Sequence, residues 1–260
     1  MDEQVTSADG TRIAFERLGA GKTIIVVAGA LQGGATYHPT AVALARNSTV
    51  LNYDRRGRGA SGDTAPYAIE REVEDIAALI EAAGGTAALY GHSSGAALVL
   101  HAAARGLPVD RIVLHEAPFG SGSAEERRAE MDEAEQIRAL LAQGRRREVV
   151  DLFLSSTGMP PEIVEQLAHD PALLAHAPTV IYDYALTGAD SRDGRTPEQQ
   201  AEGVSVPALV LAGGASPAWM IDINRRIADA LPAGRLLVLP GHEHVVPPDV
   251  LADALVEFLA

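Results

Sequence analysis

The stretch Leu89-Tyr90-Gly91-His92-Ser93-Ser94-Gly95-Ala96-Ala97 decides how the chain folds. The apolar run Ala87-Ala88-Leu89-Tyr90 reads as a buried strand, and Ser94 to Ala104, rich in Ala and Leu, reads as a helix. Ser93 therefore stands where a strand turns sharply into a helix. Such a turn strains the backbone at the serine and leaves little room two residues to either side. Gly91 and Gly95 carry no Cβ and supply that room. A Gly-x-Ser-x-Gly pattern alone arises by chance in a glycine-rich chain. The strand before it and the helix after it make this instance specific for a nucleophile elbow. In that motif a hydroxyl is held out at the end of a sheet, beside the first N–H groups of a helix.

The same rhythm extends in both directions. Strands are expected at Gln4–Thr6 and Ile13–Glu16, around a turn at 8–11, and at Thr23–Ala28, Val50–Tyr53 and Arg111–His115. They resume at Ala208–Ala212 and Leu236–Leu239. Helices are expected at Thr40–Arg46, Ile69–Ala83, Ala218–Leu231 and Pro247–Leu259. In Ile69–Ala83, residues Val73, Ile76, Ala77 and Ile80 share one face, and the glutamates fall mostly elsewhere. Strands alternating with helices predict an α/β fold with a mostly parallel sheet covered on both faces. Residues 119–204 break the rhythm. They read as helices at Ala124–Leu141, Arg147–Leu154, Pro161–Ala168 and Thr179–Leu186, then a polar, exposed connection at Ser191–Gly203. This predicts a core of residues 1–118 and 205–260 with an inserted helical cap at 119–204.

Composition narrows the function. The 260 residues have room for one large α/β domain with an insert. A net charge of -14 argues against nucleic acid as a partner, since a binder needs a basic face. There is no cysteine, which excludes disulfides, thiolate metal sites and a cysteine nucleophile. Met1-Asp2-Glu3-Gln4 is acidic and polar, with no cationic segment leading into an apolar one, and no run approaches the length of a membrane span. A cytoplasmic protein without membrane partners is expected.

Ligands of parallel sheets bind beyond the carboxyl ends of the strands. Ser93, Gly29, Glu116, Ser216 and His244 all follow strands and should converge on one edge. A serine hydroxyl needs a base within hydrogen-bond reach. His242 and His244 both lie in the loop before the last helix. His-Glu-His in a loop is not the helical His-Glu-x-x-His arrangement, so no metal is expected. His92 and His115 read as hydrogen-bonded packing residues, and His92 also flanks the pocket. Leu31, Phe119, Met159, Tyr182, Tyr184, Trp219 and Met220 are the remaining candidates to line an apolar pocket, and packing between cap and sheet is the rival role of those in the cap.

Three segments together make the chain resemble an α/β-hydrolase over nearly its whole length. They are Gly91-His92-Ser93-Ser94-Gly95, Asp54-Arg55-Arg56-Gly57-Arg58-Gly59-Ala60-Ser61, and Gly241-His242-Glu243-His244. The resemblance implies Ser93 as nucleophile and His244, three residues after the glycine, as general base. It implies an oxyanion hole from Ser94 N–H and an N–H of Gly29 or Ala30. Ala28 stands where the family more often has histidine. The family's usual acid position, after the strand that follows the cap, holds Ser216 here. Relatives such as the zearalenone-type lactone hydrolases instead carry a glutamate after the strand preceding the cap, and Leu114-His115-Glu116-Ala117-Pro118 is similar to that pattern. Glu116 is thus the expected acid, with Asp222 its rival and Asp54 structural, paired with the arginines that come after it. The resemblance implies a cofactor-independent hydrolase of a small-molecule ester or lactone. The alternative is a non-hydrolytic biosynthetic or ligand-binding member of the fold, which Ser216 favours.

Overall fold

The computed structural model describes residues 3–120, 123–188 and 194–259. One sheet contains β1 (Glu3–Thr6), β2 (Arg12–Gly19), β3 (Thr23–Val27), β4 (Thr49–Tyr53), β5 (Ala87–His92), β6 (Val109–His115), β7 (Ala208–Gly213) and β8 (Gly234–Leu239). Their spatial order is β1-β2-β4-β3-β5-β6-β7-β8. β2 pairs antiparallel with β1 and β4, and the remaining pairs are parallel. The helices are α1 (Gly34–Leu44), α2 (Ile69–Ala82), α3 (Ser94–Ala104), α4 (Ala124–Ala142), α5 (Arg146–Ser156), α6 (Pro161–Leu167), α7 (Pro171–His176), α8 (Val180–Thr187), α9 (Pro197–Ala201), α10 (Ala218–Ala230) and α11 (Pro248–Leu259).

Successive residues of β3 enter opposite cores. Ile25 and Val27 pack with Leu89, Leu98 and Ile76 on the face covered by α2, α3 and α10. Ile24 and Val26 pack with Tyr90, Val113 and Leu255 on the face covered by α1 and α11. Both faces are apolar surface removed from water, which is why the β3 sequence is an unbroken apolar run. A third cluster lies among the helices between β6 and β7. It joins Ile137, Val150, Val164 and Val180 to Leu31 of the loop after β3.

Local expectations are corrected at four places. α1 begins at Gly34, on the far side of Pro39, rather than at Thr40. Asp54 Oδ1 accepts the Gly34 N–H at 2.8 Å, so a neighbouring loop satisfies the helix start. On α2 the buried face includes Glu72 and Asp75, each neutralised by an arginine. α7, followed by a single 3-10 turn at Ala177–Thr179, adds a helix that the periodicity did not show. Finally, the connection expected to be exposed contains α9. Gln200 and Ala201 are buried there, and Gln200 Nε2 donates to His101 Nδ1 of α3 at 2.9 Å. Residues 191–193 of that connection lie outside the described residues.

Candidate active site

The elbow forms as its glycines require. Ser93 adopts φ 55° and ψ -127°. A Cβ on Gly91 would come within 2.4 Å of the Gly95 carbonyl oxygen, and one on Gly95 within 2.3 Å of the Val27 carbonyl oxygen. Ser93 N–H donates to the His115 carbonyl at 2.9 Å, tying the turn to β6. Ser93 is partly exposed, and Ser94 behind it is buried. Among the described residues, the non-glycine positive φ angles belong to Leu31 (58°), Ser93 (55°) and Glu116 (49°). Ser93 and Glu116 directly follow β5 and β6, and Leu31 lies in the loop after the neighbouring β3. Such residues cost about 1–3 kcal/mol each and persist where surrounding contacts over-determine them.

The loop after β3 abuts Ser93. A Cβ on Gly29 would lie 3.0 Å from Ser93 Cβ and 3.1 Å from the His92 carbonyl oxygen. The Gly29 backbone is hydrogen-bonded to the Tyr37 hydroxyl. Ala30 N–H donates to no backbone carbonyl among the described residues. Ser94 opens α3, so its N–H has no acceptor within the helix. Ala30 and Ser94 N–H are thus two donors near Ser93 with no backbone acceptor among the described residues.

Glu116 and His244 come together. Glu116 is fully buried, while the His244 side chain is 40% exposed. Nδ1 of His244 lies 2.6 Å from Glu116 Oε2, and Gly213 N–H donates to Oε1 at 2.7 Å. Burial pushes the Glu116 carboxyl up. The hydrogen bond from His244, the nearby Ser216 hydroxyl and the hydrogen bond from Gly213 outweigh it and hold the group below the usual glutamate range. Ser216 Oγ is buried near that carboxylate, beyond the geometry of a full hydrogen bond. Residue 216 thus lies beside the Glu116 carboxylate. Asn224 fixes the loop from behind, accepting from Ala117 N–H at 3.1 Å. With Nδ1 engaged by Glu116, Nε2 of His244 is the nitrogen left to take a proton. Asp222 lies elsewhere, exposed and paired with Arg226, and His242 is held by its carbonyl to Ala215 N–H.

His92 and His115 extend a stack behind His244. Ring centroids are 4.4 Å apart for His92 and His244 and 4.6 Å apart for His92 and His115. His92 Nε2 donates to the His244 carbonyl at 2.8 Å, so its Nδ1 accepts from the Tyr37 hydroxyl at 2.5 Å. Burial and the neighbouring imidazoles hold both rings neutral. His92 is pushed well below the ordinary histidine value, and His115 down to about 3.

The arginine-rich loop departs from expectation. Asp54 does not pair with the arginines; its oxygens accept the Gly34 and Ala60 N–H groups at 2.8 Å each. Arg55 pairs with Glu72 and Asp183, Arg56 with Asp75 and Asp9, and Arg58 with Asp183. All three guanidiniums are buried. Burial pushes the Asp183 carboxyl up, but Arg58, Arg55 and the Ser94 hydroxyl hold it below its ordinary value, and it stays ionised. Asp183, Tyr37 and Asn224 carried no sequence signal that tied them to the site. The run of three arginines after Asp54 was the available hint, since buried guanidiniums need carboxylates from somewhere.

The expected pocket residues scatter. Phe119 is fully buried in the main core, and Met220 packs on Asn224. Trp219 is 54% exposed. Tyr182 stacks on Tyr67 with centroids 3.9 Å apart and donates to Asp63. Tyr184 packs edge-on to Phe153, and Met159 packs in the same helical cluster as Leu31. Leu31 and His92 are the two that lie against the elbow and its neighbouring loops. Among the described residues no group of three or more His, Asp or Glu side chains is arranged to hold a metal ion, and no helix is long and apolar enough to cross a membrane.

A sequence profile described as the alpha/beta hydrolase family matches residues 24–258. Among solved structures, an alpha/beta hydrolase from Sphaerobacter thermophilus is 43% identical, with TM-score 0.89 over 99% of this chain and 100% of that one. A thermophilic esterase from Thermogutta terrifontis is 22% identical, with TM-score 0.74 over 99% and 97% of the two chains. An enol-lactonase from Burkholderia xenovorans is also 22% identical, with TM-score 0.72 over 99% of each. At that identity the last two share the fold alone. No curated protein matches the chain.

Proposed function

The chain belongs to the alpha/beta hydrolase family, and from that premise we propose a serine hydrolase that cleaves a carboxylic ester, lactones foremost, through an acyl-enzyme on Ser93. The observation that carries this reading is the 2.6 Å pairing of Glu116 with His244, made across the strand ends beside a strained Ser93. Ser93 Oγ attacks the carbonyl carbon while His244 Nε2 takes its proton. Glu116 stabilises the imidazolium. The oxyanion is held by Ala30 and Ser94 N–H. Collapse expels the alkoxide, which takes the proton from His244; in a lactone it stays tethered, so the final product is a hydroxy acid. Water, deprotonated by His244, then cleaves the acyl-enzyme. In the same reading, residues 119–204 form the cap over this site. Ser216, the mainstay of the non-hydrolytic alternative, loses its force because Glu116 occupies the acid's role.

The lactone preference rests on the similarity of the Glu116 segment to zearalenone-type lactone hydrolases. An esterase and an enol-lactonase on the same fold are consistent with it. The test is intact-protein mass after exposure to a fluorophosphonate, for wild type and Ser93→Ala. A single adduct on wild type, absent from the variant, is expected and justifies assay of esters and lactones. A folded wild type that takes no adduct overturns the serine-hydrolase reading.

A further inference from the structure

Three residues of the α7–α8 run, His176, Thr179 and Asp183, recur at helical spacing and contact the loop after β3 or the arginines that bond to it. His176 Nδ1 donates to the Leu31 carbonyl at 3.0 Å. Thr179 Oγ1 accepts from Arg58 Nε at 2.9 Å. Asp183, 3% exposed, accepts at Oδ1 from Arg55 Nη1 and from Ser94 Oγ, at 2.7 Å each, and at Oδ2 from Arg58 Nη2 at 2.8 Å. The two arginines pass the restraint on. Arg58 Nη1 donates to the Gly29 carbonyl at 2.6 Å and to Gln32 at 3.1 Å, and Arg55 Nη1 to Ala28 at 3.2 Å. The carbonyls of Ala28, Gly29, Leu31 and Gln32 thus each accept from Arg55, Arg58 or His176.

A trans peptide is planar, with its C=O and N–H pointing in opposite directions. The Gly29 carbonyl and the Ala30 N–H belong to one peptide unit. Drawing that carbonyl to Arg58 turns the Ala30 N–H the other way, away from Arg58, in a loop whose Gly29 lies against Ser93. Asp183 also holds the side chain of Ser94, whose N–H is the second donor.

We propose that Asp183 is a positioning residue that aims both oxyanion donors, Ala30 N–H through Arg58 and Ser94 N–H through its own side chain. The inference rests on the serine-hydrolase reading above. Asp183 touches neither substrate nor the reacting atoms. It makes the oxyanion hole a joint product of the core and the helices between β6 and β7. If those helices swing away, Arg58 loses its carboxylate, and the Gly29 carbonyl keeps as its remaining donor the Gln32 N–H at 3.3 Å.

The test is the rate of Ser93 phosphonylation by a fluorophosphonate, split into the maximal rate constant kinact and the half-saturating concentration KI. Asp183→Asn is expected to lower kinact about 10²-fold, the scale of an oxyanion donor lost, with KI within about threefold of wild type. A variant that had merely lost folded molecules would label a smaller fraction at the wild-type rate. Where Asp183→Asn does not fold, Thr179→Val removes the Arg58 contact more gently and is expected to lower kinact about tenfold. An unchanged kinact in the folded variant overturns the assignment alone. A wild type that takes no phosphonate overturns the hydrolase reading and this assignment with it.

Discussion

Glu116 and His244 meet across 2.6 Å although 128 positions separate them in the chain. Both Glu116 oxygens are engaged as acceptors, one from His244 and one from Gly213 N–H. The amide of Glu116→Gln must turn its NH2 toward one of these donors. It also cannot stabilise an imidazolium as a carboxylate does. The variant is expected to stay folded and to lose about 10²- to 10⁴-fold in kcat/KM on a cleaved ester. A loss below tenfold in a folded variant would remove Glu116 from the triad.

Ser216 offers a way to move the acid. Its hydroxyl is buried beside the Glu116 carboxylate, after the strand adjacent to β6. In the double variant Glu116→Ala with Ser216→Asp, the new carboxylate occupies the place vacated next to His244. It is expected to recover about tenfold or more of the kcat/KM lost in Glu116→Ala. No recovery would mean that the Ser216 backbone does not aim a side chain at His244.

Stability should fall on acidification, beginning in a range set by the buried histidines. Burial pushes His115 down from an ordinary 6.5 to about 3 in the folded chain, and His92 is depressed as well. Between those values the unfolded chain binds protons that the folded chain refuses. Stability is therefore greatest above pH 6.5 and declines as pH falls toward 3, by up to about 1.4 kcal/mol per pH unit for His115, with His92 acting in the same direction. Glu116, held below its ordinary 4.5, adds to the decline at the acid end. Thermal melting from pH 7.5 to 4 should show the slope. His115→Asn, which cannot take up a proton, should make it shallower; an identical slope would count against a buried neutral His115.

Phe119 and Trp219 should respond in opposite ways to truncation. Phe119 is wholly buried in the core, so Phe119→Ala is expected to cost about 3–5 kcal/mol in a denaturant melt. Trp219 is more than half exposed, and Trp219→Ala should change stability by less than about 0.5 kcal/mol. If Trp219 nonetheless raises KM when removed, the exposed ring is a contact for substrate at the rim.

The elbow and the sheet were legible in the sequence because each rests on local signals. Gly91 and Gly95 report a steric requirement that two short distances bear out. The double-sided burial of β3 is written as an unbroken apolar run. The junction of Glu116 with His244 was reached by resemblance, since nothing local in either segment names its partner. The region between β6 and β7 was least legible. α7 is short and capped by Asp170, and α9 is held to α3 by Gln200 and His101, contacts that leave no periodic trace. Asp183 carries no local sign of a special role in the sequence. Its weight comes from Arg55, Arg58 and Ser94, which lie far away in the chain and converge on it after folding.

The three left-handed residues carry an evolutionary consequence. Ser93 has a small side chain, so glycine in its place would give up little packing while releasing a strain of about 1–3 kcal/mol. The inert chain would then be the tougher one. Selection acting on heat resistance alone would erase the hydroxyl, and a breeding scheme that screens for survival without turnover should collect Ser93→Gly among its winners.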